Sequence, residues 1–218
     1  MGILGIYGAG GLGREVWELA QIINKSEQRW SQVVFIDDGE CVENPRGLPI
    51  YTFDETLKKD IDDIEFCIAV GEPEIRRKLY AKLVGNNMKI ATLVHPEVTI
   101  PSSTVIGEGS IICKFVSITC DISIGKNVYV HPMACIGHDA HIGDHAVISS
   151  FVDVAGNCFV GERSFLAINV VLKQGARVGN DSIVGLASVV HRDIPDHVIA
   201  LGNPARPMKN NNEKRIFK

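Results

Sequence analysis

The sequence is short of several things, and each shortage removes a class of protein. No apolar run in its 218 residues is long enough to cross a bilayer. The opening MGILGIYGAGG has no basic n-region and breaks at glycines too early for a signal peptide. Neither sign of charge dominates: the net charge is −4 and the pI is near 6.0, which leaves no electrostatic reason to expect nucleic acid or an anionic membrane as partner. The six cysteines (Cys41, Cys67, Cys113, Cys120, Cys135, Cys158) show no CxxC spacing, in a chain too long to need disulfide staples. They read as reduced thiols packed mostly as small hydrophobes, in a cytoplasmic protein. What is present, 45% hydrophobic and 22% charged residues, is enough to bury a real core.

The first part of the chain, residues 1–92, has α/β character. ILGIY (3–7) reads as a buried strand, followed by the glycine turn GAGGLG and an amphipathic helix with Val16, Leu19, Ala20 and Ile23 on one face. VVFIDD reads as a second strand ending at Asp37, twenty-four residues beyond Gly13, and EFCIAVG as a third that leads into the helix EPEIRRKLYAKLVG. A small parallel sheet carrying helices follows. Gly8, Gly10 and Gly13 satisfy G-x-G-x-x-G. In one reading Gly10 and Gly11 admit a phosphate and Asp37 meets a ribose or base edge. In the other, glycine only relieves strain in a tight turn and Asp37 caps a strand end. The motif alone does not choose between them. A unit of about 90 residues is too small for two mononucleotide halves, so NAD is disfavoured and a single nucleotide is the better fit.

From residue 93 to 218 the pattern changes. Stepping by six from Val94 to Val190 meets valine, isoleucine or leucine at every one of seventeen positions. Those residues fill roughly a quarter of an ordinary chain, so chance does not produce such a run. Glycine often follows the aliphatic residue, as at Gly125, Gly137 and Gly143, and a small or β-branched residue sits four after it, as at Ala134, Ala140 and Ala146. A six-residue period excludes an amphipathic helix and predicts short strands that stack as coils of a β-helix.

These [LIV]-G-x-x-[STAV]-x hexads over 94–195, closed by ALGNPARPMK, resemble the hexapeptide-repeat acyltransferases. The preceding YGAGGLG, FIDD and IAVGEPEIRRKL are similar to the N-terminal domain of the sugar O- and N-acyltransferase branch. That branch includes sialic-acid O-acetyltransferases and N-acetyltransferases of nucleotide-linked 4-amino sugars. The resemblance covers essentially the whole chain. It implies a Rossmann-like nucleotide-sugar-binding domain (1–92) followed by a left-handed parallel β-helix with a C-terminal tail (93–218), although physics alone favours right-handed crossovers.

A cluster of histidines is the most conspicuous local feature. HPMACIGHDAHIGDHAVIS (131–149) holds His131, His138, His141 and His145 with Asp139 and Asp144, a density that invites a metal reading. In the hexad register none of the four histidines occupies an inward position, and they fall on different faces or corners, so within one chain they do not easily converge on one ion, which leaves only a site between subunits to gather them. The resemblance instead makes His138 the general base and Asp139 the carboxylate that orients it, with no metal. Adjacent residues in a strand point to opposite faces, so this pair requires the chain to turn a corner, which Gly137 would permit. His131, His141 and His145 read as solvated surface side chains.

By the same resemblance Gly10, Gly11, Leu12, Asp37, Asp38 and Gly71 contact the nucleotide sugar, while Gly156 and Ile168 line a groove for acetyl-CoA between neighbouring β-helices. Val147 replaces a cofactor-touching histidine of some relatives. The implied protein is a homotrimer, because an outward base on a prism needs a neighbour to complete its pocket. Its implied activity is acetyl-CoA-dependent N-acetylation of a nucleotide-linked amino sugar for surface glycans. Three alternatives stand beside it. One is O-acetylation of sialic acid or a similar sugar hydroxyl, and another is a non-catalytic nucleotide-sugar-binding protein. The third is a metal enzyme resembling the γ-class carbonic anhydrases: His95 and His131 have the required thirty-six-residue separation, but Ile136 stands at the third ligand position.

Overall fold

The structure, a computed structural model, describes residues 2–39, 45–58 and 63–216. Cys41 lies outside the described residues. The N-terminal part is a five-stranded parallel sheet built from β1 (Gly2–Tyr7), β2 (Trp30–Ile36), β3 (Ile50–Tyr51), β4 (Ile64–Ile68) and β5 (Lys89–Ile90) in the order β3-β2-β1-β4-β5. Helices α1 (Gly11–Glu27), α2 (Phe53–Lys58) and α3 (Pro73–Gly85) join them. The four residues of α1 expected to face the sheet, Val16, Leu19, Ala20 and Ile23, are buried. The second strand runs from Trp30 to Ile36, so Asp37 and Asp38 lie just past its end rather than within it. β3 and α2 have no counterpart in the sequence reading. Two strand residues and six helical ones are too few to establish a period.

From Leu93 the chain winds as a parallel β-helix. Each two-residue strand between Val105–Ile106 and Val189–Val190 ends on the aliphatic residue of its hexad and pairs with the strand eighteen residues away; Cys135 and Ile136, for example, lie against Asp153 and Val154 above and Ser117 and Ile118 below. The first face of the prism contains Tyr129–Val130, the second Cys135–Ile136 and the third His141–Ile142. From Ile124 to Val190 the aliphatic hexad residues are nearly inaccessible, and the small residues Ala134, Ala140 and Ala146 fill the gaps between them. At every corner from Gly109 to Ala187 the third residue after the aliphatic one has positive φ. A left-handed residue at each corner reverses the side-chain alternation there, which keeps the six-residue repeat in register.

The two parts share one apolar core, which runs from Leu4 and Val16 through Leu93 into Ile111 and Ile112. A buried polar knot joins them as well. Arg76 of α3 is fully buried. Its guanidinium donates to the carbonyls of Ile68 (2.7 Å), Val70 (3.1 Å) and Asn127 (2.8 Å) and to Asn127 Oδ1 (2.7 Å). Burial pushes its pKa down to about 10. Asn127 Nδ2 in turn donates to Arg76 O at 3.1 Å and lies 3.0 Å from His145 Nδ1, and the Tyr80 ring meets the His145 ring edge-on.

His145 is therefore outward from the coil axis yet buried beneath α3, not solvated. Sequence periodicity locates a side chain relative to its own coil and cannot see what docks on that coil. Burial lowers the His145 pKa to about 4. Between the ordinary value of 6.5 and about 4 the unfolded chain takes a proton that the folded chain refuses, so the unfolding free energy falls as pH drops through that window. Urea midpoints measured from pH 7 to 4 should fall accordingly, with a shallower dependence in His145→Gln.

Candidate functional site

The glycine turn divides into two pairs with different reasons for being glycine. Gly8 has φ +116°, and a Cβ on Gly13 would lie 2.1 Å from Gly8 O, so both are required by the turn itself. A Cβ on Gly10 would meet nothing within 4 Å, and one on Gly11 would meet only Arg14 Nη2 at 3.9 Å. Among the described residues no steric contact requires glycine at these two positions. They stand at the start of α1, whose N-cap, Gly10, makes no side-chain capping bond. The first N–H groups of the helix are thus left to another acceptor.

Asp37 and Asp38 brace this turn from behind. Asp37 accepts from Ala9 N and Gly39 N, both at 2.9 Å. Asp38 accepts from Phe53 N at 2.8 Å, from Lys82 Nζ at 2.7 Å and from the Tyr7 hydroxyl. Partial burial would raise the Asp38 carboxyl, but the bonds from Lys82, Tyr7 and Phe53 outweigh it and hold its pKa below the usual value.

On the other side of the turn a cavity of about 720 Å³ opens between the N-terminal part and the first face of the coil, with Leu12, Gly71, His131, Ser149 and Ile168 in its lining. A second cavity of about 670 Å³ continues along α1 and shares Leu12, His131 and Ile168 while adding Gly11. The structure thus brings together Gly11, Leu12, Gly71 and Ile168, and adds His131. His131 is half-buried, packed on the Tyr129 ring at 4.4 Å, and its pKa is pushed down to about 4 by burial and by Arg76. It presents a neutral imidazole to the cavity and is not the solvated side chain that the hexad register implies. As with His145, the docked N-terminal part makes the difference.

His138 and Asp139 lie on a different edge of the prism, the corner between the second and third faces, and line neither cavity. The residue that turns this corner is Asp139 itself, with φ +58°, not Gly137. Gly137 is instead required by packing, because a Cβ there would lie 2.6 Å from Gly156 N. The corner swings the Asp139 carboxylate back to His138, with Oδ2 2.7 Å from Nδ1. When the carboxylate accepts Nδ1–H, Nε2 keeps its lone pair and is left as the basic nitrogen. The imidazole lies over Gly156 of the next coil, where a Cβ would come within 2.5 Å of Nε2. One sequence signal marks Gly156: it stands two places after its aliphatic residue, where neighbouring hexads carry Glu162, Ile168 or Ser150, and eighteen residues after His138.

The other histidines separate from this pair. His141 stacks on Phe159 on the exposed outer face of the coil, and His145 is in the buried knot. Among the described residues no three His, Cys, Asp or Glu side chains gather into a metal-ligating group.

Comparison with known proteins finds matches to both parts of the chain. Residues 4–83 match the family model "PglD N-terminal domain", and residues 121–155 match "Bacterial transferase hexapeptide (six repeats)". GDP-perosamine N-acetyltransferase of Escherichia coli O157:H7 is 29% identical over 134 residues, 59% of this chain and 61% of that protein. UDP-N-acetylbacillosamine N-acetyltransferase of Bacillus subtilis (strain 168) is 33% identical over 111 residues, 49% of each chain. The matches thus span between half and three-fifths of these curated relatives. Among solved structures, PerB from Caulobacter crescentus in complex with CoA and GDP-perosamine superposes with a TM-score of 0.86 at 27% identity, covering 96% of this chain and 98% of that one. The acetyltransferase domain of PglB from Neisseria gonorrhoeae FA1090, in complex with acetyl coenzyme A, gives 0.87 at 28% identity, with 94% and 98% covered. The fold is the Rossmann-like domain and left-handed parallel β-helix of these proteins. A PglD-type N-terminal domain leading into hexapeptide coils is what this chain shares with the hexapeptide-repeat sugar acyltransferases.

Proposed function

We propose that the protein is a cytoplasmic, homotrimeric N-acetyltransferase that moves the acetyl group of acetyl-CoA to the amino group of a nucleotide-linked amino sugar, in the supply of surface glycans. Residues 1–92 would bind the nucleotide sugar and 93–218 would carry the chemistry. The observation that carries this reading is the His138–Asp139 pair, whose free Nε2 stands at an exposed corner of the coil. As the sugar amine attacks the thioester carbonyl, Nε2 takes the proton that the nitrogen sheds, and Asp139 stabilises the resulting imidazolium. When the tetrahedral intermediate collapses, the C–S bond breaks and CoA leaves as the thiol, taking up the proton that Nε2 accepted, which returns His138 to its neutral form.

The separation of the two groups within one chain supports the trimer. The glycine-turn cavity and Ile168 lie beside the corner between the first and second faces, and His138 beside the next corner round the prism. A neighbouring copy that presents its own His138 corner to this cavity unites base, nucleotide sugar and acetyl-CoA. Gly10, Gly11, Leu12 and Gly71 would line the acceptor, with Asp37 and Asp38 holding the turn and its ribose end. Gly156 and Ile168 would line the donor groove. Amine rather than hydroxyl is favoured by the two curated relatives, both named as N-acetyltransferases.

The test is thiol release from acetyl-CoA against a panel of nucleotide-linked amino sugars that includes GDP-perosamine. Release that depends on one of them is expected. Release only with sialic acid or another hydroxyl acceptor would move the assignment to O-acetylation, and none with any acceptor would leave a binding protein. The glycine turn has its own prediction. Gly11→Val has room for its side chain in the free protein but fills the face offered to the ligand, so the acceptor KM should rise about tenfold or more while that of acetyl-CoA stays unchanged.

A further inference from the structure

The coil closes with an antiparallel pair, Val198–Leu201 against Arg206–Asn210, and the chain then turns back toward the N-terminal part. Three polar anchors direct this return. Buried Asn211 donates from its backbone N to His197 O at 2.7 Å and from Nδ2 to Asp181 O at 2.8 Å. Lys214 Nζ lies 3.4 Å from the buried carboxylate of Asp181, which Arg163 already holds at 2.8 and 3.0 Å. Ile216 N donates to Oε1 of Glu72, a buried residue at the N-cap of α3 immediately after Gly71.

The result is an apolar side chain delivered to a defined place. Ile216 packs against the core and lines the cavity that also contains Leu12 and Gly71. Burying the carboxylates of Asp181 and Glu72 is costly unless each is paired. Part of their pairing is spent on the tail, although the coil is already closed before Asn211. The anchors therefore do more than finish the fold: they set one wall of the cavity. That wall is hydrocarbon, so it suits the apolar face of a sugar ring better than a diphosphate.

We propose that Ile216 is a specificity-determining residue of the acceptor site, packing with Leu12 and Gly71 on the sugar of the nucleotide-linked substrate and limiting the size of sugar admitted. This rests on the reading of the cavity as the acceptor site. The test is calorimetric titration of the full chain, without turnover, using GDP-perosamine, a UDP-linked 2-acetamido-4-amino sugar and, separately, acetyl-CoA.

Ile216→Ala should weaken the better-bound nucleotide sugar by ~10-fold, the usual worth of lost apolar contact, and shift the preference between the two toward the bulkier one. Its acetyl-CoA affinity should not change. Ile216→Leu, which keeps the bulk, should retain both sugar affinities, and Lys214→Ala, away from the cavity, should reproduce the alanine effect in weaker form. Unchanged sugar affinity and preference in Ile216→Ala would overturn the proposal, as would a loss confined to acetyl-CoA. Wild-type protein that binds acetyl-CoA but neither nucleotide sugar would overturn the acceptor-site reading together with it, before any variant is made.

Discussion

Replacing His138 by alanine is expected to lower turnover by ~10²–10⁴, the usual contribution of a positioned general base, while leaving the coil intact. The His138 side chain is 49% exposed and sits at a corner rather than in the stacked interior, so its removal takes little from the core. Asp139→Asn should cost less. An asparagine oxygen can still accept Nδ1–H and hold the tautomer, but without the negative charge it no longer favours the imidazolium. His141→Ala provides the contrast: it loses a stacking contact with Phe159 on an exposed face and should keep nearly full turnover. Turnover and circular dichroism together check the set, and near-normal turnover in a folded His138→Ala would remove the base from the mechanism.

The coil is legible in the sequence because its physical cause is local and repeated. An aliphatic residue every six positions is what a stack of short strands needs, and the small residue four places later fits the space left between neighbouring aliphatics. The corner geometry is legible only in part. Alternation along a strand places His138 and Asp139 on opposite sides, whereas the corner residue takes the left-handed conformation, so the rule does not hold at Asp139. The glycine turn shows the same limit. Its motif is one string in the sequence, yet Gly8 and Gly13 answer to contacts within the turn, while Gly10 and Gly11 have open space beside them. Only the positions of neighbouring atoms separate the two causes.

His131 and His145 mark where local reasoning stops. Both are outward by register, and both are covered because α1 and α3 dock on the first face of the coil and its edges. Arg76 ties that docking together through carbonyls of both parts, a pairing between residues 51 positions apart that no spacing rule predicts. The placement of Leu12 and Gly71 opposite Ile168 follows from the same docking, so the cavity belongs to the assembled chain and to neither half alone.

Gly156→Ala should lower turnover by ~10²-fold with little change in melting temperature, although no atom of the base is altered. The added Cβ would lie 2.5, 2.6 and 2.9 Å from Nε2, Cε1 and Cδ2 of His138, distances that real contacts do not reach. All three atoms belong to one half-exposed ring, so the imidazole swings outward into solvent rather than forcing the coil apart. A displacement of about 1 Å is enough to cost ~10² in rate when proton transfer depends on alignment. The loss should therefore fall on kcat, with the acceptor KM near its wild-type value because the cavity around Leu12 and Gly71 is untouched. Gly137→Ala separates this positional effect from a general loss of fold. There the Cβ would meet Gly156 N at 2.6 Å and Ala155 C at 2.8 Å, backbone atoms that cannot turn aside, so the coil itself must distort and the melting temperature should fall. A Gly156→Ala protein with wild-type kcat would mean that the imidazole does its work from some other position than the one over Gly156.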